Sequence, residues 1–366
     1  MMQTFMGFPL FIQGAVIIIG ISLLGWLINV VNLLFTRWKG NREDKERRKM
    51  EPVFQELFLH HVFLPEIEEQ QGESLQQFKA RYLGNKKVRK RLIADILHYQ
   101  QLFSGAIGDR LKALYQTLEL YQDANKSLKS RKPDKLLLAL SEFLDMQIWI
   151  EDIDLAKMQK HKHPLVREIA RRYILKMVPE DPFQIFSNLE EPLSKREQIE
   201  LFKIITEMEH RKIPNFALWI QQGREPSLIS LCLKLAVYFQ QYDSIPVISA
   251  MLDNEDISLR KEAVNALGKL HQGRAEKSLA GLYDQEGEAV KKEILKALGR
   301  ISSGNYLNLL KHAFEQESSV RLRKHAARSI YNHRERGRDV WETLRNKEDE
   351  TSQQILNHAS NKLIRY

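Results

Sequence analysis

The chain has 366 residues, 43% hydrophobic and 28% charged, with only 17 Gly and 11 Pro, a balance that argues against intrinsic disorder and against an all-β fold. A formal net charge of +9 keeps nucleic acid and anionic lipid in play as partners. The single cysteine, Cys232, excludes an intramolecular disulfide and a thiolate cluster for zinc or iron.

No charged side chain occurs from Met1 to Phe35. The run from Leu10 to Phe35 reads as one transmembrane helix of about 39 Å. Directly after it, Arg37, Lys39, Arg42, Lys45, Arg47, Arg48 and Lys49 outnumber Glu43, Asp44 and Glu46. Basic flanks stay on the cytoplasmic side, so the sequence predicts an anchor over residues 1–36 in a cell membrane. The amino terminus lies outside, the bulk is cytoplasmic, and the seven basic residues contact anionic lipid. A cleaved signal peptide would place its basic residues ahead of a shorter run. Asn29 and Asn32, three apart on one face near the inner end, either seek partners within lipid or reach the headgroups.

Residues 37–85 form a basic juxtamembrane and linking helical segment, and residues 86–162 a set of divergent helical repeats. There Val88, Leu92 and Ile96 share one face of a helix that begins at Lys86, and Leu111, Leu114 and Leu118 mark a second. A third begins at Pro133.

Regular repetition follows. The windows VREIARRYI from Val166, EQIELFKII from Glu197, LISLCLKLA from Leu228, LRKEAVNAL from Leu259 and VKKEILKAL from Val290 step by thirty-one residues. LRKHAARSI follows from Leu322 after thirty-two. The fifth residues are Ala170, Leu201, Cys232, Ala263, Ile294 and Ala326, on the helical face that also carries positions one, eight and nine. Between windows runs a second apolar helix, with one column of Ile185, Phe216, Ile248, Leu279 and Leu310 and another of Leu189, Ile220, Leu252, Tyr283 and Phe314. Pro182, Pro214 and Pro246 are predicted at or near the first helical position, where a missing N–H costs nothing. Two short helices cannot bury two such faces alone, so each pair must pack on the next. Residues 163–366 are predicted as an all-α solenoid, closed by a helix near Thr351 to Ile364.

The aliphatic-basic-x-x-small pattern, best seen at Leu259-Arg260-Lys261-Glu262-Ala263 and Val166-Arg167-Glu168-Ile169-Ala170, resembles the short bacterial HEAT repeats. The stretches Leu114–Ser130, Leu138–Met146 and His163–Ala170 together resemble membrane-anchored bacterial HEAT proteins. The resemblance implies that the basic residue at position two pairs with an acid of the preceding turn, here Asp253, Glu255 or Asp256 ahead of Arg260. Gln198 and Ile229 interrupt that ladder.

Catalytic chemistry finds little support. HEAT-type di-iron hydroxylases carry repeated His-Glu pairs, and this chain contains no His-Glu step; His60-His61 and His161-Lys162-His163 lack ligand spacing. Glu151, Asp152 and Asp154 read as a solvated face. Cys232 stands in a small-residue column and reads as a core filler. Basic clusters near Lys86, Lys126 and Arg321 have no interleaved aromatics, which disfavours nucleic acid. The sequence therefore predicts a membrane-anchored scaffold without cofactors that binds a membrane-associated protein. Exposed second-helix residues, Asn215, Gln222, Ser249, Lys277, Asn308 and Lys311, are the candidate contact ridge. The competing reading is an enzyme on HEAT-like helices, a lyase or base glycosylase, which a deep cleft lined by carboxylates and tryptophan would favour.

Overall fold

A computed structural model describes residues 10–64, 74–150, 154–187, 189–208, 211–346, 349–361 and 363–364, excepting the side chains of 10–21 and 39–47. Every regular element among them is helical. The chain divides into two units, Met1–Ile148 and Trp149–Tyr366.

In the first unit, α1 (Leu10–Phe58) runs on into a wider helical turn over Leu59–Phe63. Then come α2 (Leu75–Tyr82), α3 (Lys86–Leu102), α4 (Ala106–Thr117), α5 (Tyr121–Leu128) and α6 (Pro133–Asp145). Ser74 and Gln77 start α2 with a reciprocal capping box, and the Asn85 side chain accepts from Lys87 N to start α3. Leu92, Ile96, Leu111, Leu114 and Leu118 are buried, as their spacing predicts. Tyr115 donates to Glu142 at 2.5 Å inside this core, and burial raises the Glu142 carboxyl above its ordinary range.

Among the described residues, no helix is long and apolar enough to cross a membrane. The predicted anchor over 1–36 falls largely outside them, since residues 1–9 and the side chains of 10–21 are not described. Of the seven basic flank residues, Arg37, Arg48 and Lys49 are exposed, while Lys39, Arg42, Lys45 and Arg47 lie outside the described side chains. Asn29 donates to the Gly25 carbonyl at 3.0 Å, so one of its hydrogens is satisfied by its own helix.

The second unit begins with α7 (Leu155–Gln159) and then stacks helix pairs. The first helices are α8 (Pro164–Met177), α10 (Lys195–Thr206), α12 (Pro226–Tyr238), α14 (Ile257–Lys269), α16 (Glu288–Ile301) and α18 (Val320–Asn332). The second helices, α9 (Gln184–Ser187), α11 (Ala217–Gln222), α13 (Ile245–Ala250), α15 (Glu276–Leu282) and α17 (Leu307–Gln316), are shorter. The stack continues through α19 (Arg338–Arg345) and α20 (Glu350–Ser360), whose start is capped by the Asp349 carboxylate. All six fifth-position side chains are fully buried, as are the two second-helix columns apart from the half-buried Leu189. One continuous apolar seam runs from Ile174 to Ala359, which is the arrangement an α-solenoid requires.

The prolines correct one expectation. Only Pro246 lies in the first turn of its helix; Pro182 and Pro214 precede helices that begin at Gln184 and Ala217. The prolines that do open helices are Pro133, Pro164 and Pro226, which start α6, α8 and α12. A proline fixes its own φ but leaves the following turn free, so proximity alone did not place the helix start.

A second correction concerns the position-two arginines. Arg260 does not pair with Asp253, Glu255 or Asp256 through their carboxylates. Its Nη1 donates to the backbone carbonyls of Asn254 and Glu255, and its Nε donates at 2.6 Å to Glu286, ahead of the following repeat. Asp256 caps α14 instead. Arg167 repeats the arrangement with the carbonyls of His161 and Lys162 and the carboxylate of Glu191. Arg89 repeats it in the first unit, with Leu83, Gly84 and Asp123. Each planar fork therefore ties a loop backbone to a later acid, which Lys cannot do in the same geometry.

Candidate functional site

The spacing of the first helices changes along the second unit with the residue that follows each nine-residue window, position ten, and with the eighth residue of the next window. Gly268 faces Ala297, where an added Cβ would come within 2.7 Å of the Ala297 Cα. Gly299 faces Ser329 in the same way, 2.7 Å from its Cα. Those distances require a missing side chain, so α14, α16 and α18 approach closely. Thr206 and Val237 occupy the equivalent position in α10 and α12, and there the helices are in looser contact. At the start of α10, Glu197 stands where other windows have an aliphatic residue, except that it is buried against Arg171 of α8 at 2.7 Å. Burial raises the Glu197 carboxyl, while Arg171 opposes the shift.

Along this looser stretch the first helices line a cavity of about 920 Å³. Its apolar floor includes Ile199, Phe202 and Tyr238, with the Phe202 and Tyr238 rings edge to face at 5.5 Å. Ile199 is 69% exposed and Tyr238 54%, unusual for large apolar groups beside a packed seam. Lys195, Lys234, Lys261 and Lys269 also line it, as do Asp256, Glu262 and Glu293. Glu262 lies 3.7 Å from Lys234, and Glu293 lies 3.1 Å from Lys292 and 3.3 Å from Lys296. Two of the three acids are thus matched by lysines. Burial and then the positive Arg300 and Lys296 lower the Lys269 ammonium pKa.

None of the six residues predicted as a ridge lines this groove. They lie on the second-helix side: Gln222, Lys277 and Asn308 are exposed, and Ser249 and Lys311 are half-buried. Asn215 is exposed but engaged, accepting from Ala217 N and from the Ser244 hydroxyl. The groove residues carried a sequence signal that the apolar columns conceal. Position three reads Glu168, Ile199, Ser230, Lys261, Lys292 and Lys324, and position eleven reads Lys176, Glu207, Tyr238, Lys269, Arg300 and Asn332. A single large apolar residue in each otherwise polar column marks the patch.

The remaining candidates contribute little chemistry. Cys232 is fully buried and burial pushes its thiol well above the ordinary range. No group of three or more metal-binding side chains occurs among the described residues. Asp154 caps α7, and Glu151 and Asp152 lie outside the described residues. Much of the basic cluster after Arg321 is structural: Arg323 bonds the Phe314 carbonyl, Arg328 that of Ala359 and Arg336 that of Ser302.

Two solved engineered proteins from the Northeast Structural Genomics Consortium are similar to the chain. The first is 13% identical, covers 79% of this chain and 95% of its own, and superposes with a TM-score of 0.34. The second is 15% identical, with coverages of 72% and 94% and a TM-score of 0.23. No curated protein matches. Residues 245–331, from α13 almost to the end of α18, match the family of HEAT repeats, which shows HEAT-repeat character in that part of the second unit.

Proposed function

We propose that the chain is a scaffold that binds a protein partner in the groove over α10, α12 and α14 and is held at a membrane by its amino-terminal helix. The observation that carries the first half is the exposed apolar floor of Ile199, Phe202 and Tyr238 in an open concavity. No tryptophan lines it, although a tryptophan-and-carboxylate cleft is what a glycosylase-like enzyme on this fold would offer. The anchor is supported by the charge-free start of the sequence. Along α1, Leu23, Trp26, Ile28, Val31, Leu34 and Phe35 are each more than half exposed, an apolar surface on all sides that suits lipid better than water. Basic residues after Phe35 support a cytoplasmic carboxyl-terminal bulk and contact with anionic lipid in this reading. Anchoring raises the local concentration of the groove for membrane-associated clients.

The test is photo-crosslinking in cells from position 238 in the groove and, separately, from position 277 on the second-helix ridge. The groove reading expects discrete adducts from 238 that disappear with Ile199→Asp. Adducts from 277 alone would move the binding face to the second helices, the ridge expected from sequence. Tags on both ends with protease-treated spheroplasts check the anchor: loss of the carboxyl-terminal tag from sealed cells reverses the orientation, and release of the whole chain by alkaline carbonate removes the anchor.

A further inference from the structure

The charges around the groove are not evenly matched. Glu262 and Glu293 are each within salt-bridge distance of lysines. Among the described residues, no carboxylate is paired with Lys195, Lys261 or Lys269. Arg300 donates to the neutral Asn265 side chain at 3.1 Å and stands with Lys296 beside Lys269, where Glu293 is the acid that offsets them. The groove therefore joins an apolar floor to a surplus of positive charge on successive first helices.

We infer that the groove accepts an acidic amphipathic segment of a partner protein, with apolar side chains on Ile199, Phe202 and Tyr238 and carboxylates facing Lys195, Lys261 and Lys269. The apolar floor alone would fit many segments; charge complementarity selects among them. Asp256 and the lysine-matched Glu262 and Glu293 interrupt the positive lining, which argues against a polyanion or a phosphate headgroup that needs unbroken positive charge. A peptide distributes its carboxylates and can avoid them. Lys269 fits this role physically: burial, then Arg300 and Lys296, disfavour its charged form while Glu293 opposes them, and an incoming carboxylate would add to that opposition.

This inference rests on the scaffold reading, and the experiment separates the two. The full chain is placed in nanodiscs of neutral lipid and titrated by fluorescence anisotropy with three amphipathic probe peptides that share one apolar face. Their polar faces carry Glu, Gln or Lys. The Glu peptide is expected to bind about tenfold more tightly than the Gln peptide, with the advantage shrinking as salt rises. Lys269→Glu should remove that advantage, and Ile199→Asp should weaken both the Glu and the Gln peptide. Both positions are exposed, and an unchanged thermal midpoint shows that the variants fold. Equal binding of Glu and Gln peptides, both lost with Ile199→Asp, overturns the acidic preference and leaves a groove-binding scaffold. Preference for the Lys peptide, no peptide binding, or an advantage insensitive to Lys269→Glu overturns it as well. Displacement of the Glu peptide by vesicles containing anionic lipid, but not by neutral vesicles, reassigns the site to lipid.

Discussion

The middle and carboxyl-terminal repeats share a period but hold their first helices together by different physics. From α14 to α18, Gly268 against Ala297 and Gly299 against Ser329 allow close contact of helix backbones. From α8 to α12, the corresponding positions are larger, and the α8 to α10 contact includes the buried Arg171–Glu197 pair. The tight half coincides with most of the HEAT family match, while the loose half contributes most of the groove. Regular packing gives stability, and departures from it leave apolar surface available for a partner.

The largest test of that contrast is Arg171→Ala. It strands the Glu197 carboxylate, whose side chain is only 4% exposed, and should cost about 3–5 kcal/mol. Hydrogen exchange should show faster opening of α8 and α10 with α16 and α18 still protected; equal loss in both halves would mean that the two halves unfold as one. Leu298→Ala, in the fully packed half, should cost about 2–5 kcal/mol by leaving a cavity, read from urea unfolding. Gly299→Ala should cost about 1–3 kcal/mol by overpacking against Ser329, whereas Val237→Ala, in the looser stretch, should cost less. Equal costs for these two substitutions would remove the glycine explanation for the difference in spacing.

Acid should also separate the halves. Burial, followed by Lys296 and Lys292, pulls the His325 pKa down to about 4. Between its ordinary pKa of about 6.5 and that value, the unfolded chain binds more protons than the folded one. The stability this histidine contributes above pH 6.5 is lost as pH falls through the window, by at most about 1.4 kcal/mol per pH unit. In the middle half, burial raises Glu197, so folded chains take up a proton before unfolded ones and acidification favours that half. Glu191 is lowered by its bond from Arg167 and loses its contribution only below the usual carboxylate range. Hydrogen exchange at pH 7 and pH 5 should therefore show selective weakening around α18, removed by His325→Phe. The smallest stability effect belongs to Ile199→Ser, within about 0.5 kcal/mol because the side chain is exposed, although crosslinking from position 238 should fall sharply.

Much of the fold was legible before the structure because burial repeats with the chain. The thirty-one-residue step brought Cys232 into a column with Ala170 and Ala263, and all three are fully buried. The first unit was harder to read, since its helices lack that regular step, yet Arg89 makes the same clamp as Arg167 and Arg260. The groove was missed because a search for apolar columns passes over Ile199 and Tyr238, which break polar ones.

By itself, the sequence determined the helical class, the repeat length and the residues that form the seam, because periodic apolar side chains can be buried only on matching helical faces. Tertiary structure alone decided that Arg260 reaches forward to Glu286, that Arg171 meets Glu197, and that the first helices separate where Val237 replaces glycine. These features depend on distance and orientation between neighbouring repeats. A side chain's partner across a helix interface is set by backbone approach and direction, which sequence separation does not specify.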